Sequence, residues 1–348
     1  MLTYHLQIKI LAPLHIGSGE EIDPFEYVIK EGRLYKINLY DFLYHLAPIE
    51  QEEFNKLSTD IVLLRQFIRN KADFNKFSEF NVEVSNKIES VYENKFQDVH
   101  NQLIISPFIR DLSFPFIPGS SIKGAIRTAV IFELFQEKAN EKTRTDIFEA
   151  ELLKSERGFY DEKAQRFIVR GVDGGKDPFR AIKITDARLP ENATYVDRIE
   201  TFSRKNDEIK PLNIQILKEI TYSSFQNKPI TLTNELRFDD QLIKRNREIN
   251  LKSINKDFII RACNNFAHQI ITNELKYFSD YPTAELYQHL KDESLDKDEF
   301  LLRFGWGSGF DSMTINLKKQ KPKSIQTRKL VDEYLPLGWV RAKIIDKK

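Results

Sequence analysis

Cysteine is nearly absent. Cys263 is the only one in 348 residues, which excludes an intramolecular disulfide and suits a reducing cytoplasm. It lies among Phe258, Ile259, Ala262, Phe266 and Ile270, the surroundings of a core residue. Long apolar runs are missing too: none reaches the length of a membrane span, and no charged-then-apolar leader opens the chain, so no membrane role is expected. A charge excess is also lacking. Lys plus Arg is 53 and Asp plus Glu is 52, a net charge of +1, so any nucleic-acid contact has to use a local patch. The six histidines are scattered without ligand spacing, and neither a P-loop nor a dinucleotide fingerprint occurs. No metal or cofactor is expected.

What is present reads as alternating strands and a few amphipathic helices. Residues 2–11 alternate, with Leu6, Ile8 and Ile10 on one face, and end in the glycine loop Pro13–Gly19. Residues 25–30 and 33–38 form a hairpin around Glu31-Gly32. A polar helical insertion is expected over about 39–102, followed by extended structure over 103–117. A second helix is expected at 143–154, a loop at 155–180, a strand at 181–187, and strands at 212–220 and 229–238. A long helix spans 256–278, with Arg261, Asn264, Asn265 and His268 on its polar face, and a closing strand spans 337–345.

The chain is organised around Phe116-Ile117-Pro118-Gly119-Ser120-Ser121-Ile122-Lys123-Gly124-Ala125-Ile126-Arg127. Pro118-Gly119 stop the preceding segment, and Ser120 or Ser121 can cap a helix ending before Asn140. Ile122, Ala125, Ile126, Ala129 and Val130 face a core at helical spacing. Lys123, Gly124, Arg127 and Thr128 share another face, where two cations flank a residue without a side chain near a helix N-terminus. That face suits a phosphate backbone; it is equally that of an ordinary solvated helix.

Three further stretches are candidates. In Arg303-Phe304-Gly305-Trp306-Gly307-Ser308-Gly309-Phe310, alternate glycines expose backbone N–H groups and Trp306 offers a stacking surface. His15, beside Gly17 and Gly19, can stack on a base or serve as a structural loop histidine. Residues 189–211 interleave Tyr195, Arg198, Phe202, Arg204 and Lys205, an arm suited to stacking on bases. Lys318, Lys319, Lys321, Lys323, Arg328 and Lys329 add a basic run.

The early loop, the F-I-P-G-S-S-I-K-G-x-I-R block and the G-W-G-S-G loop occur in this order in the RAMP superfamily of CRISPR-associated proteins. Order and length resemble the fifth subunits of type III-A Csm effector complexes. So do His15 to Gly19 followed by Glu26-Tyr27-Val28, and Ile182 to Ala187. The resemblance implies an α+β fold with a ferredoxin-like, RRM-type antiparallel sheet, a lid and a thumb, the last at 189–211. Residues 1–239 would hold an N-terminal RRM-like unit, and 240–348 would complete it or form a second.

The resemblance further implies a non-catalytic subunit that caps the backbone filament near the 3′ part of the CRISPR RNA and supports its maturation. Its partners would be that RNA and the neighbouring subunits, with target RNA and host trimming nucleases left open. RNA contacts would fall on His15, Gly17, Gly19, Gly119, Ser120, Ser121, Lys123, Gly124, Arg127, Arg303, Gly305, Trp306, Gly307 and Gly309. Two alternatives stay open. One is an endoribonuclease of the same superfamily, using Asp23 with a metal, or His15, His45 or His268 as acid or base. The other is an assembly protein with no RNA contact of its own.

Overall fold

The computed structural model describes residues 2–57, 59–99, 103–139, 178–205, 208–239, 241–242, 254–313 and 327–347. The expected helix at 143–154, most of the loop at 155–180, and Lys318, Lys319, Lys321 and Lys323 lie outside the described residues.

Elements are numbered in chain order. Strand β1 (Leu2–Ile10) buries Leu6, Ile8 and Ile10, as its alternation requires. It pairs antiparallel with β12 (Ile230–Phe238) from Leu2↔Phe238 to Ile10↔Ile230, and on its other side with β16 (Trp339–Asp346). With β8 (Ile182–Ile184) and β13 (Glu299–Arg303) at the edges, the order is β13-β16-β1-β12-β8, antiparallel throughout. Helices α6 (Gly119–Ala139) and α7 (Lys256–Tyr277) share the core of this sheet. Ile122, Ile126 and Ala129 from one, and Ile259, Cys263, Phe266 and Ile270 from the other, pack with Leu6 and Ile8. The polar side of α7 is used by the protein itself. Asn264 donates to Glu299 O and accepts from Leu301 N, while Arg261 and Asn265 donate to Glu133 of α6.

The expected boundary at 239/240 runs through this sheet, because β1 takes partners from both sides of it and the core continues across.

A second sheet has the order β15 (Leu335–Pro336), β14 (Thr327–Val331), β10 (Thr194–Lys205), β4 (Ser78–Val84), β3 (Arg33–Ile37) and β2 (Tyr27–Lys30). Strand β11 (Glu208–Thr221) pairs with β10 and with β5 (Ile105–Ser106). The insertion is therefore not purely helical. Helices α1 (Leu39–Tyr44), α2 (Pro48–Leu57), α3 (Ile61–Lys71) and α4 (Phe74–Phe77) lead into β4, and α5 (Asn86–Lys95) follows it. Its Phe42, Phe67, Ile68 and Phe77 form a small core together with Val28 of β2 and Ile37 of β3. The expected arm at 189–211 and strand at 212–220 are one long hairpin, β10–β11, whose base is part of this sheet. Helix α8 (Thr283–Asp292) and the single turn α9 (Phe310–Met313) follow α7.

A third sheet, β6 (Arg110–Asp111), β7 (Phe114–Ile117) and β9 (Ala187–Arg188), delivers the chain into α6. Neither Ser120 nor Ser121 caps that helix; both lie inside its first turn. The first N–H, on Gly119, donates instead to Asp186 Oδ1 at 2.7 Å. A Cβ on Gly119 would stand 2.1 Å from Ile184 O, whereas one on Gly124 would meet nothing within 4 Å. Gly119→Ala is therefore expected to cost about 3 kcal/mol in urea unfolding. Gly124→Ala should be neutral or stabilising by about 1 kcal/mol. Equal losses for the two variants would contradict this packing.

Candidate RNA-contacting surface

Two glycine loops far apart in sequence meet in the structure. Gly338 N–H donates to Pro13 O and Trp306 N–H to His15 O, at 2.8 and 2.9 Å. Gly305 has φ +88°, and a Cβ there would stand 2.6 Å from Leu14 Cδ1 and 2.8 Å from His15 O, so only glycine allows the approach. Thr221 N–H, at the end of β11, donates to Leu14 O, which ties the early loop to the second sheet as well. The early loop is thus the seam between the two large sheets.

A buried carboxylate fixes that seam. Glu219 of β11 accepts from Phe108 N at 2.9 Å, from Arg110 Nη2 at 2.5 Å and from Thr194 Oγ1 at 2.5 Å. Burial pushes its carboxyl above the usual range, and Arg110 opposes the rise. Its backbone carbonyl accepts from His15 Nδ1 at 2.6 Å. The His15 ring stands edge-on to Phe108 and Trp306.

This geometry corrects several sequence expectations. His15 is 2% exposed, so its ring supports the loop and offers no face to a base. Arg303 is 5% exposed; its Nε donates to Leu337 O, and its guanidinium lies over Trp339 and Tyr287. Gly119 serves close packing against the β8 backbone, as above. In the expected arm, Tyr195 stacks on Tyr222 at 4.3 Å, Phe202 is buried, and Arg204 bonds to Tyr277 O, so these side chains fill the fold and do not stack on bases. Arg328, in the basic run, is buried against Glu274 at 2.8 Å.

Other candidates do face outward. Gly17, Gly19, Ser120 and Gly124 are exposed, and Ser121, Lys123, Arg127, Gly305, Trp306, Gly307 and Gly309 are half-buried. The Arg127 guanidinium lies 5.1 Å from the Phe179 ring. The glycine loop continues into α9, which packs beside α6. The sequence did not point to Lys218, whose ammonium lies over Trp306, nor to Glu219 and Asp186, whose roles exist only across long separations in the chain.

The nuclease candidates are dispersed. Asp23 N–H donates to Glu26 Oε2, and burial together with Glu26 and Glu21 raises the Asp23 carboxyl above its ordinary range. His45 is bonded to Asp41 O of its own helix, and His268 is exposed on α7. No group of three His, Cys, Asp or Glu among the described residues is placed to hold a metal.

Burial lowers the pKa of His15 to about 4, aided by Lys218 and opposed by the bond to Glu219 O. The folded state therefore prefers neutral His15, while the unfolded chain takes up a proton below its ordinary value of about 6.5. Stability present above that pH is lost as pH falls towards 4, by about 2 kcal/mol between pH 7 and pH 5 for this one group. Urea unfolding at both pH values checks this. His15→Phe should reduce the pH dependence by that amount, and an unchanged dependence would contradict a neutral buried ring.

Comparison with known proteins agrees with this architecture. The sequence profile of the RAMP superfamily matches residues 7–310. A Methanocaldococcus jannaschii protein named "CRISPR system Cms protein Csm5" is 26% identical over 351 residues, covering 97% of this chain and 79% of that protein. A Streptococcus thermophilus protein of the same name is 25% identical, over 70% of this chain and 68% of that one. Among solved structures, a chain in a cryo-EM Csm-crRNA-target RNA ternary complex of a type III-A CRISPR-Cas system superposes with a TM-score of 0.74. It is 22% identical, with 98% of this chain and 100% of that chain covered. The crystal structure of T. onnurineus Csm5 superposes with a TM-score of 0.69 at 23% identity, covering 96% and 99%. With the profile spanning the early loop, the basic helix and most of the glycine loop, the chain belongs to the RAMP superfamily.

Proposed function

We propose that this chain is a non-catalytic RNA-binding subunit of a type III-A CRISPR effector complex. In this reading it caps the backbone filament near the 3′ part of the CRISPR RNA and supports maturation of that RNA. The observation that carries the reading is the likeness to proteins named Csm5, which in one case extends over 97% of the chain. The order β16-β1-β12-β8, with α6 before β8 and α7 after β12, supports a ferredoxin-like core. The physical basis of binding is the outward face of α6 with Lys123, Gly124 and Arg127, together with Gly17, Gly19, Ser120, Ser121 and the exposed part of the glycine loop. Such contacts are mainly to phosphate, so affinity falls as salt rises and sequence preference is slight.

One observation favours an assembly role alongside RNA binding. Tyr40 and Tyr44, four apart on α1, and Ile49 on α2 are large apolar side chains left exposed, as at a subunit contact.

Native purification of the chain from its own cells, with sequencing of bound RNA, tests the reading. Short RNAs sharing a repeat-derived tag, together with other subunits, are expected; a chain recovered alone and free of RNA would overturn it. In the same purification Lys123→Ala with Arg127→Ala should retain RNA about ten-fold less well. Gly124→Asp, which has open space around it, should fold normally and lose more. Normal retention by both variants would remove the α6 face from the RNA path.

A further inference from the structure

Two ammonium groups lie over one indole ring. Lys218 Nζ, from β11, is 4.4 Å from the Trp306 ring centroid, and Lys329 Nζ, from β14, is 5.2 Å from it. The lysines come from the second sheet, while Trp306 lies in the loop that follows β13 of the first, so the cluster straddles the seam. Neither ammonium has a hydrogen bond or ion pair among the described residues. Lys218 is only 8% exposed and Lys329 is half-buried.

This arrangement is costly for the isolated chain. An indole face attracts a cation, but it does not remove the repulsion between two of them. Burial, reinforced by Lys329 and opposed by Glu21, holds Lys218 below the ordinary lysine range; burial does the same to Lys329. Two other cations of this fold are held directly against carboxylates, Arg328 by Glu274 and Arg110 by Glu219. Here the described residues supply no ion pair, only the longer-range pull of Glu21 on Lys218, so an added anion would be favoured. Gly307 and Gly309, next to the ring, have N–H groups with no acceptor among the described residues. Two ammoniums and two amide N–H groups of a glycine loop suit the non-bridging oxygens of a phosphate.

We propose that Lys218, Lys329 and Trp306 form a clamp for a phosphodiester of single-stranded RNA at the seam of the two sheets. It rests on the RNA-binding reading and adds residues from the second sheet to that surface.

Trp306 supplies its own readout, since the other tryptophan, Trp339, is fully buried. The full-length protein is titrated with a single-stranded uridine homopolymer, and separately with inorganic phosphate and with polyglutamate, while tryptophan emission is followed. RNA should change the emission, and Trp306→Phe should abolish that change. Lys218→Met with Lys329→Met should weaken RNA binding about ten-fold and make the log affinity–log salt slope shallower by about 1.4. Without RNA its Tm should stay level or rise, because two charges without an ion pair are gone. Should the double variant fail to fold, Lys329→Met alone is read, with a slope shallower by about 0.7.

A fallen Tm with normal RNA affinity would overturn the clamp and give the lysines a structural role. An unchanged slope with silent Trp306 would overturn the clamp while leaving RNA binding elsewhere intact. A response to polyglutamate or to inorganic phosphate, with none to RNA, would overturn it in favour of an acidic protein partner or a free anion. A wild-type protein that binds no RNA would overturn the RNA-binding reading, and the clamp with it.

Discussion

The buried carboxylate of Glu219 ties three stretches of chain together at the seam of the two sheets. Its side chain takes an N–H from Phe108, the Arg110 guanidinium and the Thr194 hydroxyl; its carbonyl takes the His15 ring. Phe108 and Arg110 come from one stretch of chain, Thr194 and His15 from two others. Removing the carboxylate would leave a buried guanidinium without its counter-charge, a loss of about 3–5 kcal/mol in comparable settings. The early loop is therefore held on one side by the second sheet and on the other by the glycine loop. His15 has to be neutral for this, and its burial among Phe108, Trp306 and the Glu219 carbonyl keeps it so.

The glycines divide into two physical kinds. Gly119 and Gly305 let protein backbone approach protein backbone, and a methyl group at either would collide with a carbonyl oxygen. Gly19, Gly124 and Gly309 have open space beside them, where another molecule's backbone can come near. The same division runs through the cations. Arg303, Arg328 and Arg110 are consumed internally by carbonyls, carboxylates and rings. Lys218 and Lys329 have an aromatic ring beneath them and no ion pair among the described residues.

The parts of the fold visible in the sequence were those decided by local periodicity. Strand β1 alternates cleanly, α6 and α7 repeat their apolar residues at helical spacing, and all three bury the expected faces. Strand β4 gives only a weak signal: Phe80, Val82 and Val84 alternate, but helical polar sequence surrounds them. Misreadings followed where chemistry depends on what lies across the fold. Tyr195 and Phe202 look like stacking residues in a protruding arm, yet the partners that bury them, Tyr222 and Tyr281, come from elsewhere in the chain. Asp186 as the cap of α6, and Lys218 as a neighbour of Trp306, likewise leave no sequence signal, because each pairing spans long chain separations.

The most direct test of the account is photo-crosslinking in the assembled complex with RNA carrying 4-thiouridine, followed by mass-spectrometric mapping of the linked peptides. The account predicts links in the stretch from Ser120 to Arg127 and at Trp306, so that RNA touches both the basic helix and the sheet seam. Links confined to other surfaces, or none to this chain, would contradict it.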